Sequence, residues 1–388
     1  LFLLFNFNGH LLSHTSVGHE TWGGYFLFPW FAALVFLLID GDHSWGWVAK
    51  MALLLFFMYL NGSFHQFVWS LLFLLVFAAA SWKNALPALK AVFFALLISL
   101  VRILPPALMA GEYARQTFFF GGYPSLLTLL NGLVSVELPT KEVPVPFSTY
   151  VLGWWEYSLY IGLVGALFVA VFGVNRWLRR RPDGAGHYEL LVPSLALVIL
   201  SIGQDYEVVR LFKIPLFNGE LVSTRIISLS FVFLVILAAV EFQRWMESKP
   251  LPAAINAGMV GVLILGVRDL WEYARTWRLD TASTFFPQQL PAFQKFTVAN
   301  RPDEAYLRLI ILGAVGTLAG MAVLAVLAWL EKRGTLRRAA SRLRPAALNG
   351  PSRSPDGLSE QARWFLAEIL APGGRQAAAE AAPVQNES

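Results

Sequence analysis

Four stretches of this chain, residues 22–39, 64–80, 223–240 and 307–330, are long and almost purely apolar. They show neither period-2 alternation nor an amphipathic stripe, and a bilayer core asks about 20 such residues of a helix. With no water in that core, every backbone N–H and C=O must be satisfied inside the segment, so these runs fold as helices. The composition agrees: 56% of the 388 residues are hydrophobic and 14% are charged. Soluble domains carry nearer a quarter charged residues, which excludes a water-soluble globular enzyme. The fold class is therefore all-α, a polytopic bundle of transmembrane helices.

Nine crossings are expected, at about 22–39, 46–60, 64–81, 88–104, 152–175, 189–204, 223–241, 251–267 and 307–330. Trp45 and Trp47 anchor the short second crossing at the interface, with Lys50 snorkelling to the surface. The basic clusters Arg176, Arg179, Arg180 and Arg181, then Arg244 and Lys249, then Lys332 to Arg344, all fall on one side with Lys83 and Lys90. That side is cytoplasmic by the positive-inside rule. The outer side receives residues 1–21, the turn Asn61-Gly62-Ser63, the stretch 205–222, and two longer loops, 105–151 and 268–306. Pro105-Pro106 is expected to stop the preceding helix. Tyr123 to Val134 is too short to span and reads as an interfacial or re-entrant helix.

Residues 1–330 thus form the membrane domain and 331–388 a cytoplasmic tail. The tail has a basic juxtamembrane segment (331–345) suited to anionic headgroups, a Gly/Pro/Ser linker (346–357), a short amphipathic helix (358–370) and a disordered Ala/Gly/Pro/Gln end. No internal repeat is present. The absence of cysteine removes disulfides, thiolate nucleophiles and iron–sulfur clusters. A net charge of +5 arises from arginines at helix ends and in the tail, so it reports topology and gives no reason to expect a nucleic-acid partner. The chain opens on Leu1 in an apolar stretch without a basic n-region. This is not a signal-peptide pattern, and further sequence is expected upstream.

Ionisable groups at membrane depth or at the outer mouth are costly and mark candidate sites. The first cluster is Asn8-Gly9-His10, His14, His19 and Glu20, leading into Thr21-Trp22-Gly23-Gly24-Tyr25. His10 and His14 share a helix face at i, i+4, while Gly18 ends that helix before His19. Imidazoles there serve a metal, acid–base chemistry or phosphate binding; the bland alternative is interfacial histidines bonded to loop backbone. The second is Asn61-Gly62-Ser63-Phe64-His65-Gln66, a tight turn with His65 and Gln66 facing the bundle; Asn61 heads a formal glycosylation sequon too close to the membrane to be a good acceptor. The third is Arg102 with Glu112 and Arg115. The fourth runs Asp205, Glu207, Arg210, Lys213, Glu220 and Arg225, where Arg225 heads an apolar run and can grip a phosphate bidentately, or else snorkel or pair with Glu220. The fifth, Arg268, Asp269, Glu272, Arg275, Arg278 and Asp280, reads as the salt-bridged surface of an extramembrane helix.

There is no P-loop, no G-x-S-x-G elbow and no H-E-x-x-H. Mid-depth carboxylates and lysines are scarce, against an ion-coupled transporter. Polar groups instead gather at one face, the distribution of an enzyme handling a lipid headgroup.

The Asn-Gly-His…Gly-His segment leading into Pro29, the outer turn with Gly62 and His65, and Lys213-Ile214-Pro215-Leu216-Phe217…Ser223-Thr224-Arg225 opening a helix together resemble the GT-C superfamily of integral-membrane glycosyltransferases. The resemblance is one of layout across most of residues 1–330, nearest the protein mannosyltransferase and aminoarabinose transferase branches. It implies transfer of a sugar from a polyprenyl-phosphate or polyprenyl-diphosphate carrier to a glycan, lipid or protein acceptor outside a bacterial inner membrane, with a divalent cation as an optional cofactor. The catalytic carboxylate of that superfamily lies in a first outer loop that would precede Leu1. His10, His14, His19 and Glu20 would then line the mouth, with His65, Arg102, Arg115, Lys213 and Arg225 toward substrate. Alternatives are an envelope polysaccharide polymerase or ligase, a transporter or lipid flippase, and a non-catalytic subunit of a membrane assembly.

Overall fold

A computed structural model describes residues 1–109, 119–138, 141–145, 151–175, 188–248, 252–277 and 303–334. The described chain is mostly helical. After α1 (Phe2–Asn6) and α2 (Gly9–Ser16), a 3-10 turn over Glu20–Leu27 runs into α3 (Phe28–Ile39). Then follow α4 (Trp45–Leu60), α5 (Phe64–Ala80), α6 (Trp82–Ile98), α7 (Leu100–Met109) and α8 (Leu126–Val134). A two-stranded antiparallel ribbon pairs β1 (Glu142–Pro144) with β2 (Val151–Gly153). Next come α9 (Gly162–Phe168, extended by a π turn to Val174), α10 (Tyr188–Leu200), α11 (Glu207–Arg210), α12 (Pro215–Asn218), α13 (Ile227–Ser248), α14 (Ala253–Thr276) and α15 (Glu304–Lys332).

Four helical segments among the described residues are long and apolar enough to cross a membrane: Thr21–Ile39, Ser223–Glu247, Ala253–Thr276 and Glu304–Lys332. A fifth arises if α6 and α7, bent by 72°, count as one span. Helices α4, α5, α10 and the Gly162–Val174 segment are apolar but shorter. The expected 152–175 crossing is the largest departure. Its first ten residues are ribbon, 3-10 turn and irregular backbone, and the helix starts at Gly162, whose φ of +72° only glycine adopts easily. The 189–204 segment likewise stops being helical at Leu200. In the other direction, α14 runs straight through 268–276, so the first charges of the expected outer loop are the last turns of a long helix. Tyr123–Val134 does hold a short helix, α8. The tail elements, including residues 358–370, lie outside the described residues.

The proline pair also behaves differently from expectation. The helix breaks at Ser99 and then runs on through Pro105 and Pro106 to Met109. Pro106 has no N–H to offer the carbonyl of Arg102, and the Tyr59 hydroxyl donates to that oxygen at 3.4 Å. The restarted helix is also held at its head, where the Val101 N–H donates to Thr317 Oγ1 at 3.1 Å. The long Tyr59 contact, from a neighbouring helix, is the side-chain partner of the carbonyl that Pro106 leaves free.

The core is built around α3, α4, α5 and α13. Phe31, Phe73 and Phe233 form one aromatic contact across three of them, with Phe73 and Phe233 stacked at 4.9 Å. The buried Trp47 indole donates to the Leu34 carbonyl at 2.7 Å. Chain connectivity separates two ends. At one, the α3–α4 connection carrying His43 meets the first turns of α6, with Lys83 and Asn84, and of α10, with Glu189; Lys83 pairs with Glu189 at 2.8 Å, and the Trp45 N–H donates to Glu331 at 2.6 Å. At the other, the backbone stretches 119–123, 201–203 and 221–223 are stitched together by hydrogen bonds such as Gly122 N to Gly203 O at 2.7 Å. A Cβ on Gly122 would lie 2.0 Å from the Ser201 carbonyl oxygen, so this seam closes only around glycine.

Helix α15 packs on α6 and α7 through Gly313, Gly316 and Gly320. A Cβ at Gly313 would sit 2.7 Å from the Leu100 oxygen, and one at Gly320 would sit 2.9 Å from Leu97 Cγ. Between lipid-facing helices this close backbone approach replaces the hydrophobic drive that water supplies elsewhere. Gly313→Leu is expected to destabilise the protein by about 1–3 kcal/mol through overpacking. Gly258→Leu, at an open position on α14 with nothing within 4 Å, is not destabilising. Thermal unfolding of the two variants in the same detergent measures the difference.

Candidate functional site

The site grows from the N-terminal segment. Asn8 caps α2, its side-chain oxygen accepting from the Leu11 N–H at 3.0 Å. The Gly9 N–H donates to the Tyr160 carbonyl at 2.7 Å, and a Cβ there would stand 2.4 Å from the Tyr160 nitrogen. This contact clamps α2 against residues 154–160. Gly18, with φ +80°, ends the helix, and the His19 N–H reaches back to the His14 carbonyl at 2.9 Å. That is the Schellman arrangement of a glycine-terminated helix, and it folds the His19 ring over His14. The rings lie stacked at 5.0 Å, with Nδ1 to Nδ1 at 2.7 Å.

His10 and His14 share one face of α2, their ring centroids 4.7 Å apart, and Trp22 fills the angle between them, stacked on His14 at 4.4 Å. The expectation of a shared histidine face, ended by Gly18, holds. His10 Nδ1 lies 3.2 Å from the Ser158 carbonyl, so Nδ1 carries the proton and Nε2 presents its lone pair. Both His10 Nε2 and His14 Nε2 are buried with no hydrogen-bond partner. The Glu20 side chain lies outside the described residues.

Opposite the histidines stands Glu156, at the end of the 3-10 turn Trp154–Glu156 and 2% exposed. Arg225, from the 3-10 turn Ser223–Ile226 at the head of the long 223–247 span, grips it from one side: Nε donates to Oε2 at 2.8 Å and Nη2 donates to Oε1. His14 Nε2 is 3.8 Å from Oε2 on the other side. Burial alone would raise the Glu156 pKa, but the guanidinium charge and its hydrogen bonds outweigh that and hold the carboxyl below its ordinary range. Burial brings His10 down to about 4, with the Arg225 charge adding to the effect and the Glu156 field opposing it. His14 is lowered well below its ordinary value, first by burial, then by His10, Arg225, His19 and His65. At neutral pH the site is therefore a carboxylate–guanidinium pair walled by uncharged imidazoles.

A second polar group adjoins the first. Glu220, fully buried, accepts from the Trp69 indole N–H at 2.8 Å and meets His65 Nδ1 at 3.0 Å. Trp69 lies 5.9 Å from Trp22, and a Cβ on Gly24 would collide with Ser63, so the Asn61–Gln66 turn and the histidine segment are neighbours. Gly62 makes that turn with φ +81°. Both amide atoms of Gln66, with Ser63 Oγ, Ser223 Oγ, Thr224 Oγ1 and Glu220 Oε1, are buried and have no partner. Buried polar atoms need partners, and here a polar ligand or water would supply them. Asn61 packs its amide toward Gly23, 2.9 Å from the position of a Cβ there.

The structure thus brings together His10, His14, His19, His65 and Arg225. It leaves Arg102 exposed on α7, its guanidinium over the Tyr59 ring, and Lys213 exposed in the turn between α11 and α12. Glu112, Arg115, Arg278 and Asp280 lie outside the described residues. On α14, Arg275 and Glu272 form the exposed i, i+3 contact expected of a solvated helix face. Arg225 pairs with Glu156 rather than with Glu220, which turns instead to α5. Glu156 escaped the sequence reading because it sat within an expected membrane crossing; its signal was a carboxylate amid Trp154-Trp155-Glu156-Tyr157, where a lipid-facing helix would not hold one. His14, His19 and Glu156 each offer a ligand atom within 4.8 Å of the others, a geometry that could hold a metal ion. No protein-family profile, curated protein or solved structure matches this chain.

Removing one partner of a buried ion pair strands the other charge, at about 3–5 kcal/mol. Glu156→Gln and Arg225→Gln are each expected to lower stability on that scale, and the double variant to lose clearly less than the two losses combined. Unfolding of all four proteins in detergent reads the coupling.

Proposed function

We propose that this chain is an integral-membrane glycosyltransferase of the GT-C type, moving a sugar from a polyprenyl-phosphate or polyprenyl-diphosphate carrier to an acceptor on the outer face of a bacterial inner membrane. The observation that carries the reading is Arg225, a partly buried cation at the head of a long apolar span. It is held by Glu156 and surrounded by His10, His14, His19 and two tryptophans. A lipid phosphate brings an anion and an apolar chain to one place, and this end of the bundle offers a guanidinium beside lipid-facing helices. Glu156 takes Nε and Nη2, which leaves the Nη1 donors for a phosphate oxygen.

In this reading nine crossings surround the site: the four long helices, the bent α6–α7 pair and the four shorter apolar helices. The basic helix ends and tail lie in the cytoplasm, and the donor's isoprenoid chain lies between helices.

The chemistry divides among the residues. Glu156, kept ionised by its guanidinium, is a weak base and acts as a positioning residue for Arg225. The acceptor hydroxyl donates to the neutral His10 Nε2, whose Nδ1 is tied to Ser158; with its pKa at about 4 this ring orients the hydroxyl, and the proton ends on the departing phosphate oxygen. The acceptor oxygen bonds to the anomeric carbon, the bond from that carbon to the phosphate oxygen breaks, and the departing phosphate takes its electron pair toward Arg225. The unpartnered Gln66, Ser63, Thr224 and Glu220 atoms supply hydrogen bonds to sugar hydroxyls.

Farnesyl phosphate tests the donor end. The protein in lipid nanodiscs is expected to bind it saturably, farnesol not at all, and Arg225→Gln to weaken binding by at least about tenfold, the worth of one charge-assisted hydrogen bond. Arg225→Lys, which keeps charge but loses the fork, falls between. Equal binding of phosphate and alcohol, or indifference to the arginine, overturns the reading.

A further inference from the structure

We infer that His14, His19 and Glu156 form a binding site for a divalent transition-metal ion, with zinc the best chemical match. One ring nitrogen from each histidine and one carboxylate oxygen lie within 4.8 Å of one another. Zinc with bonds of about 2.05 Å places its ligands about 3.3 Å apart. The 3.8 Å between His14 Nε2 and Glu156 Oε2 is close to that spacing, so small side-chain rotations suffice.

The state of His14 is an independent reason. Its side chain is fully buried, yet Nε2 has no hydrogen-bond partner and faces the carboxylate. Leaving a buried nitrogen of this kind without a partner is unfavourable, and a metal bond removes that penalty. The His14–His19 contact adds to the case. Two imidazole nitrogens 2.7 Å apart share one proton as neutral rings, which leaves one ring's Nε2 lone pair free, and an ion that displaces this hydrogen bond gains the second.

The ligand set also selects the ion. Two imidazoles and one carboxylate are the protein ligands of a zinc site that keeps its fourth position open, whereas magnesium and calcium call for oxygen cages. The ligands are already oriented: Arg225 fixes both carboxylate oxygens, Trp22 stacks under His14, and the glycine-terminated helix sets His19.

Charge shows what the fourth position takes. Glu156 and Arg225 cancel, so a divalent ion adds two positive charges to a buried place where Glu220 is the nearby carboxylate. An anionic oxygen ligand offsets the remainder. Under the transferase reading, on which this last step alone rests, that ligand is the carrier phosphate.

The full chain purified in nanodiscs and dialysed against Co²⁺ is expected to bind about one equivalent, with the visible absorption of tetrahedral cobalt, displaced by Zn²⁺. His19→Gln, at the half-buried rim, and Glu156→Gln are expected to lose the band and at least tenfold in Co²⁺ affinity. His43→Gln, at the opposite end of the bundle, retains both. Because the wild-type spectrum needs no variant to fold, an absent band or fewer than about 0.2 equivalents overturns the site. So does a band that survives His19→Gln. Cobalt bound without farnesyl phosphate binding keeps the metal site and rejects the transferase reading; the converse rejects the metal site alone.

Discussion

The arrangement of the polar end of the bundle depends on the Glu156–Arg225 ion pair. Its partners come from segments 69 residues apart, one an irregular turn and the other the first turn of a long apolar helix. Neither charge is tolerable alone at that depth, because desolvation costs each ion several kcal/mol. Brought together bidentately, they fix the 154–160 segment against the head of α13. That segment then offers Ser158 and Tyr160 to receive His10 and Gly9. The histidine face is therefore placed by the ion pair, and not by any preference of α2 itself.

Glycine does the complementary work where backbones touch. Gly9 and Gly122 admit backbone at distances no side chain would permit, and Gly18 turns the chain so that His19 falls back over His14. Gly313 and Gly320 do the same for α15 against the bent α6–α7 pair. The outcome is a bundle whose apolar mass is ordinary membrane-protein packing, with one end given over to partly unsatisfied polar atoms. Native interiors rarely leave such atoms without partners, which is why that end, rather than the loops generally, carries the functional reading.

Much of this was legible in the residues. The helical class follows from the apolar runs, the His10/His14 face from helical spacing, the turn at Gly62 and the helix end at Gly18 from glycine's conformational freedom. Arg225 stood out because a guanidinium at the head of an apolar run is costly. Other features were not legible. Glu156 lay in a run apolar enough to read as a crossing, since hydropathy averages over a window and one carboxylate barely moves it. The continuation of α7 through Pro105 and Pro106 goes with a contact from Tyr59, more than forty residues away, which no local rule could supply.

By itself the sequence determined the solvent, the helices and the kinds of charged group gathered toward one face, because these depend on local composition and on periods of a few residues. Only the tertiary structure decided which charges meet. Glu156 rather than Glu220 holds Arg225, Glu220 goes to Trp69 and His65, and His14, His19 and Glu156 converge within reach of one ion. Pairing across long sequence separations is settled by how the backbones pack and by the penalty for any buried charge left alone. That balance exists only once the helices are side by side.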